Sequence, residues 1–405
     1  MFKYRKILWL GTLLIGCRLE AQIDPVEREL IQLGYNQALE GHAPISGYAY
    51  YYYNRPSFIQ TNLTLRLAVA PVYLDSEVGF SGLLGPQTDL GLGLAGGGFA
   101  DSYSEIRQGT LLPSESFTGH GASTSSSIYH RFNPNQEIPL NGVLRGEIAQ
   151  AFYMRDSKTT PGFELPPDQT SFNIRTGLRW GGREPLLAPD LAMEMSVWYE
   201  GRFRLNPESY GFNHDRSIQA ASHLIWGRAL LIYTLPESKH SFLVSLTAGT
   251  SARADRFSAF RLGGQLPLAS EFPLTLPGYF YQEISATRFA LINASYYWPL
   301  DRRKRWSLTV TATGSVMDYL PGLEQAGEWN SGVGGGITYR STSQSWQASL
   351  GYSYGIDALR DGDRGAQSIA ILVQFDLGKT KQGMFDPGDR SSFSRGLDRF
   401  VRSFQ

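Results

Sequence analysis

Trp306-Ser307-Leu308-Thr309-Val310-Thr311-Ala312-Thr313 alternates a hydrophobic residue with a hydroxyl-bearing one at every step. In an extended chain successive side chains point to opposite faces. Trp306, Leu308, Val310 and Ala312 therefore share one side of a sheet, and the hydroxyls share the other. The same period of two recurs along the chain. Leu63, Leu65, Leu67 and Val69 alternate with Asn62, Thr64, Arg66 and Ala68. Trp346, Ala348, Leu350, Tyr352 and Tyr354 alternate with Gln347, Ser349, Gly351 and Ser353, and Ile369 to Leu377 repeats the pattern with Leu372 as its exception.

A soluble β-sandwich also alternates, so three further features decide for a transmembrane barrel. The segments run to about ten residues, the length a tilted strand needs to cross hydrocarbon. Aromatics gather at segment ends (Tyr48 to Tyr53, Trp180, Tyr296 to Trp298, Trp306, Tyr352), where interfacial girdles belong. The inferred inner faces carry Arg175, Arg179, Glu194, Glu200 and Arg202, which a wet lumen tolerates and a dry core does not.

Fifteen strands can be read, near 47–54, 58–70, 72–84, 88–104, 118–132, 142–155, 168–181, 190–205, 217–234, 238–253, 286–300, 305–318, 330–341, 345–355 and 366–378. Bacterial single-chain barrels have even strand numbers. The expectation is an all-β, antiparallel transmembrane barrel of 16 strands over 46–378. Short connectors (301–304, 342–344) against long ones (104–117, 257–285) match periplasmic turns and external loops.

Outward from the barrel, Lys3, Arg5 and Lys6 precede the ten-residue apolar run Ile7 to Gly16, a secretory signal too short to span a bilayer. Two processing readings stand: cleavage after Ala21, giving a 1–21 signal peptide, or lipidation of Cys17 in Leu14-Ile15-Gly16-Cys17. Cys17 is the single cysteine, so no disulfide forms within the chain. Beyond the signal no stretch approaches the ~18 apolar residues of a membrane helix. Asp24-Pro25-Val26-Glu27 reads as a helix start, with Asp as N-cap and Pro in the first turn, predicting a short periplasmic helix within 22–45. In the tail, 379–405, Phe393, Leu397, Phe400 or Val401, and Phe404 fall at helical spacing, which reads as an amphipathic helix or as a disordered end.

Lys plus Arg equals Asp plus Glu at 37 each, which gives no case for nucleic acid. The mean hydropathy of −0.24 looks soluble, but in a barrel lipid-facing and lumen-facing residues cancel. Gly91-x-Gly93-x-x-Gly96 fits a dinucleotide fingerprint, yet it lies inside a strand where no helix can meet a phosphate, and Gly332 to Gly336 reads the same way. The six histidines form no metal-ligand pair. The run Ser123 to Ser127 between His120 and His130 suggests an interfacial esterase, but no GxSxG elbow exists and small polar residues on an outward strand face explain it. Asp361-Gly362-Asp363-Arg364-Gly365 reads as a tight hairpin turn in preference to a calcium loop. The expectation is a non-enzyme without metal or cofactor.

Phe260-Arg261-Leu262-Gly263-Gly264, then Leu276-Pro277-Gly278-Tyr279, then Tyr296-Tyr297-Trp298-Pro299-Leu300, and finally Gly314-Ser315-Val316-Met317-Asp318 occur in that order. In this order and spacing the segment resembles the barrel of the outer-membrane assembly superfamily, which contains BamA, TamA and two-partner-secretion translocators. The resemblance implies a loop at Leu276, Pro277, Gly278 and Tyr279 that inserts into the lumen, beside a strand motif of Gly314, Ser315, Val316 and Asp318. It implies a role in inserting membrane proteins or lipids, or as a scaffold. The partners implied are outer-membrane lipids, with other envelope proteins or a second copy. The family's loop arginine is Pro277 here, and the acid two residues before the strand glycine is Ala312. Both changes remove charge, so the loop's position has to be set by other contacts. The 22–44 stretch is too short for the family's client-receiving domains, so the chain resembles a stand-alone barrel. A passive diffusion channel is the alternative.

Overall fold

The computed structural model describes residues 26–44, 46–98, 103–182, 191–266 and 272–379. The signal segment with Cys17 and the tail from 380 lie outside them. The described chain is a closed antiparallel barrel of sixteen strands. They are β1 (Arg28–Ala38), β2 (Ser46–Pro56), β3 (Leu63–Ala70), β4 (Tyr73–Phe80), β5 (Thr88–Gly98), β6 (Phe117–Arg131), β7 (Leu140–Arg155) and β8 (Gln169–Gly182). After them come β9 (Leu191–Arg204), β10 (Ala221–Thr234), β11 (Ser241–Ala252), β12 (Ile284–Pro299), β13 (Trp306–Tyr319), β14 (Trp329–Arg340), β15 (Trp346–Arg360) and β16 (Asp363–Asp376).

The fifteen strands read from sequence are β2 to β16. The sixteenth is β1, where a short helix was expected. Its side chains follow period two: Leu30 and Ala38 face the interior, while Leu33 and Tyr35 are exposed on the outer belt. On one side it pairs with β2, and on the other with β16 in unbroken register from Leu30 opposite Asp376 to Ala38 opposite Ser368. The helix-start signal at Asp24-Pro25 is a local preference worth about 1 kcal/mol. Closing the sheet satisfies a row of backbone groups that would otherwise face hydrocarbon, each costing several kcal/mol. Closure wins.

The outer surface is apolar on every side: Leu94, Ile148, Val197, Ile225, Val244, Ile292, Val310, Leu350 and Ile371 all stand exposed. At one end of the barrel Trp180, Tyr233, Phe242, Trp298 and Trp306 form an aromatic girdle, with Trp306, Tyr339 and Trp346 in a row of tilted ring contacts at 4.7 and 5.0 Å. This end carries the short turns. The opposite end carries the long connections 99–116, 156–168, 205–220 and 253–283. The tyrosine run is not wholly a girdle, since Tyr48 faces inward and packs against Leu266.

Wall height is uneven. β3 and β4 have 8 residues each, whereas β6 to β9 have 14 to 16. β2 meets β3 only from Tyr51 opposite Val69 to Pro56 opposite Thr64, so its upper half rises above the two-residue turn after Ala70.

Candidate functional site

The connection between β11 and β12 enters the lumen and crosses it. Phe260–Leu262 first pairs with the top of β12. Gly263 and Gly264 then turn the chain inward at φ +137° and +80°, conformations open to glycine but strained for L side chains. A Cβ on Gly263 would lie 2.2 Å from the Phe280 carbonyl. Beyond the turn, Gln265 meets Ser353 of β15 (3.2 Å), and Leu266 packs on Ala370 and Leu372 of β16. On the far side Phe272 meets Trp226 (4.3 Å) and Trp198 (5.5 Å) edge to face, and the guanidinium of Arg228 lies 4.4 Å from its ring. The loop therefore touches β15 and β16 at one wall and β9 and β10 at the other.

The tetrad Leu276, Pro277, Gly278, Tyr279 is the clamp that holds it. Leu276 and Tyr279 are buried among Leu262, Ile284, Met317 and Ala358. Gly278 has φ +85°, and a Cβ there would sit 1.9 Å from the Gly355 nitrogen; a Cβ on Gly332 would sit 2.3 Å from the Pro277 carbonyl. Tyr279 Oη donates to Asn330 Oδ1 (3.2 Å). Arg360, at the end of β15, reaches in with Nη1 and Nη2 to both oxygens of Glu283 (2.8 and 3.0 Å) and to the Gly278 carbonyl (3.2 Å), lying over the Phe280 ring at 3.6 Å. The Phe280 amide also donates to Glu283 (2.7 Å). Burial pushes the Glu283 carboxyl up, and the Arg360 guanidinium and the Phe280 amide offset that push only in part.

The resemblance led to an ion pair lost at Pro277 and Ala312. The structure shows a pair of reversed polarity, with the acid on the loop and the arginine on the wall. Of the strand motif, Ser315 faces inward and donates to the Ala290 carbonyl (3.0 Å). Gly314 and Val316 fall on the opposite side of β13, and Asp318 is exposed, pairing with Arg288 (2.7 Å) and not with the loop. Met317, buried in the cluster around Leu276, is the residue of this stretch that meets the clamp.

The long-loop end is capped. Glu105, fully buried, accepts from Arg256 Nε (3.2 Å) and Arg107 Nε (3.0 Å) with Arg216 at 3.5 Å, while Glu115 takes Arg107 (2.6 Å) and Arg216. Beneath them Tyr103, Phe117, Phe163 and Tyr210 pack into one aromatic cluster, with Phe257 against it. Lower in the lumen Glu194 bridges Arg179 (2.8 Å) and Arg228 (2.6 Å). The expected charged inner face is thus present, with one carboxylate shared between two guanidinium groups at this point.

Two other sequence readings resolve. Ser125 and Ser127 are buried on the inner face, contrary to the outward placement expected for the serine run. His130, an odd number of residues away, falls on the other face and bonds Thr88 Oγ1 (2.9 Å), so the two do not form a dyad. Asp361 and Gly362 both have positive φ, 51° and 92°, and join β15 to β16 as a two-residue hairpin turn. Among the described residues no group of three His, Cys, Asp or Glu could hold a metal ion.

Fold and loop together define a sixteen-stranded transmembrane barrel with an inserted, wall-clamped loop. No protein-family model and no curated protein matches the chain. Among solved structures, the chain is similar to CdiB from Escherichia coli (TM-score 0.56, 12% identity, 87% of this chain and 63% of that one). It is likewise similar to BamA from Haemophilus ducreyi lacking POTRA domains 1-3 (0.54, 11%, 86% and 70%) and to CdiB from Acinetobacter baumannii (0.52, 9%, 86% and 60%). The chain thus spans less than two thirds of either CdiB, and what it shares with them is the barrel fold.

Proposed function

We propose that this chain is a bacterial outer-membrane barrel of the assembly type, assisting the insertion of membrane proteins or lipids. The observation that carries this reading is the loop that crosses the lumen and is clamped at both walls, under a capped end. A diffusion channel gains nothing from such an obstruction, whereas a barrel acting on its surrounding membrane needs a rigid wall and no pore. The seam between β1 and β16 is paired in unbroken register, and the feature that supports a route into the bilayer is the low wall. Tilted as barrel strands are, eight residues cover about 20 Å of the bilayer normal, against an apolar band of about 25 Å. The bilayer thins to match, at a cost of fractions of a kcal/mol per Å. Thinned lipid beside β3 and β4 lowers the barrier to an incoming strand. Lipids and client polypeptides are the partners this requires.

The test is the folding of a urea-unfolded outer-membrane protein into vesicles with and without this chain. Faster insertion, reduced when β3 and β4 are lengthened by two residues each, supports the reading; equal rates in both vesicles remove it. One observation favours a channel instead: Arg145, Arg175, Arg202, Glu147 and Glu200 line a lumenal cavity of about 690 Å³. Steady conductance of the unaltered protein in planar bilayers would support that alternative.

A further inference from the structure

Between β4 and β9 the lumen holds a chamber of about 690 Å³, within the size range of small-molecule sites. Tyr153 and Phe257, which pack on the aromatic cluster of the cap, close it towards the long-loop end. The sequence makes the hollow by setting small residues on inward positions: Ala95 on β5, Gly121 and Ser123 on β6, Ala149 and Ala151 on β7, and Ser171 on β8.

The charged groups that project into the chamber are paired with one another and still reachable. On β7 Arg145 meets Glu147 (3.2 Å), and Asn173 of β8 donates to the same carboxylate (3.1 Å). On β9 Arg202 meets Glu200 (2.8 Å), and Arg175 of β8 stands opposite Arg145 on one side and Glu200 on the other. Elsewhere in the lumen Glu105, Glu194 and Glu283 are sealed at 0% exposure, whereas here the side chains of Glu147 and Arg202 keep 24% and 33%. Asp75 is met by Arg66 (3.4 Å), which also faces Glu77, and Arg204 by Asp255 (2.6 Å). Counted with those partners, five arginines face five carboxylates. The chamber therefore offers hydrogen-bond donors and acceptors side by side without net charge. An ion would lose its hydration there with no spare counter-charge in return. A neutral polyol loses nothing of that kind, because each hydroxyl both donates and accepts and so can bridge the guanidinium and the carboxylate of one couple.

We propose that this chamber binds a neutral saccharide of a few pyranose units, with its hydroxyls on Asn173 and on the Arg145–Glu147 and Arg202–Glu200 couples. The apolar C–H face of a sugar ring lies against Phe257, whose carbonyl accepts from Arg202 Nη1 (2.7 Å), so that ring and polar couple are held together. Hydrogen bonds to ionised partners carry the affinity, and the small residues of β5 to β8 supply the room. The proposal does not depend on the insertion reading, and its test is a binding measurement that an inactive insertase would leave intact.

The test uses the full chain in nanodiscs of zwitterionic phospholipid, because sugar-headed detergents would compete. Saturation-transfer NMR follows maltotriose, cellotriose, mannotriose and galactotriose, neutral probes that differ in linkage and hydroxyl stereochemistry. At least one should give a saturable signal that empty nanodiscs lack. Its derivatives carrying a terminal carboxylate or a terminal amine should bind about tenfold more weakly. The double variant Arg145→Met/Glu147→Met removes one couple without changing net charge and should weaken binding about tenfold. Ala151→Trp, which fills the space, should abolish it. Both variants must show the heat-modifiable migration of a folded barrel; if Ala151→Trp does not fold, Ser123→Phe replaces it, and Asn173→Ala stands in for the double variant. The proposal is overturned if none of the four sugars binds above empty nanodiscs, if the charged derivatives bind as well as the neutral sugar, or if folded cavity-filled protein binds unchanged.

Discussion

Gly278 and Arg360 hold the lumen loop by different means, and each can be tested alone. Gly278 must keep φ +85° against the Gly355 backbone, with no room for a Cβ. Gly278→Ala should therefore unseat the loop, at a cost of about 1–3 kcal/mol of strain, read as new protease cleavage near 276–279 with the barrel still folded. Arg360→Met strands Glu283 as a buried lone charge and should cost about 3–5 kcal/mol in unfolding measurements. Arg360→Met/Glu283→Gln should recover most of that, because the loss comes from the unpaired partner. The tetrad itself was picked out in the sequence by its place in the ordered motifs of the resemblance. Arg360 was not. The strand seemed to stop at Gly355, because the register shifts between Gly355 and Leu359 and interrupts the alternation before Arg360. Glu283 had no visible signal, as its partner is 77 residues away.

Among the elements, β1 shows where local reading fails. Asp24-Pro25-Val26-Glu27 speaks for a helix within four residues, while the alternation of Leu30, Gln32, Gly34 with Ile31, Leu33, Tyr35 is diluted by the polar Gln32, Asn36 and Gln37. Only the even-strand rule hinted at it, by leaving fifteen. If β1 is in the wall, its two faces must respond differently to charge. Leu33→Arg on the outer belt should destabilise the protein by about 2–4 kcal/mol, whereas Gln32→Arg on the inner face should cost little, in urea titrations of vesicle-inserted protein. A periplasmic helix would tolerate both equally. The other fifteen strands were legible because each carries its own period of two, and β13 shows the pattern at its clearest.

For the whole molecule, the asymmetry of loop lengths was readable, but not the cap those loops build. Its ion pairs join Glu115 to Arg216 and Glu105 to Arg256, across 101 and 151 residues, and sequence separation of that size hides any pairing. Cap and crossing loop together predict a silent barrel. The unaltered protein should show no steady conductance in planar bilayers, and the Arg360→Met chain should show intermittent openings as the loop leaves the wall. Continuous open-channel current from the unaltered protein would mean the lumen is not obstructed. The central claim beneath all of this is that β1 closes the ring against β16. Gln32 lies opposite Gln374 and their side chains meet at 3.5 Å, so in a Cys17→Ser chain carrying Gln32→Cys and Gln374→Cys, mild oxidation in native membranes should join the two. A disulfide at this pair, and none when Gln374→Cys is replaced by Phe375→Cys on the other face, is the predicted result. Absence of the 32–374 cross-link in membrane-inserted, folded protein would contradict the closed sixteen-stranded barrel.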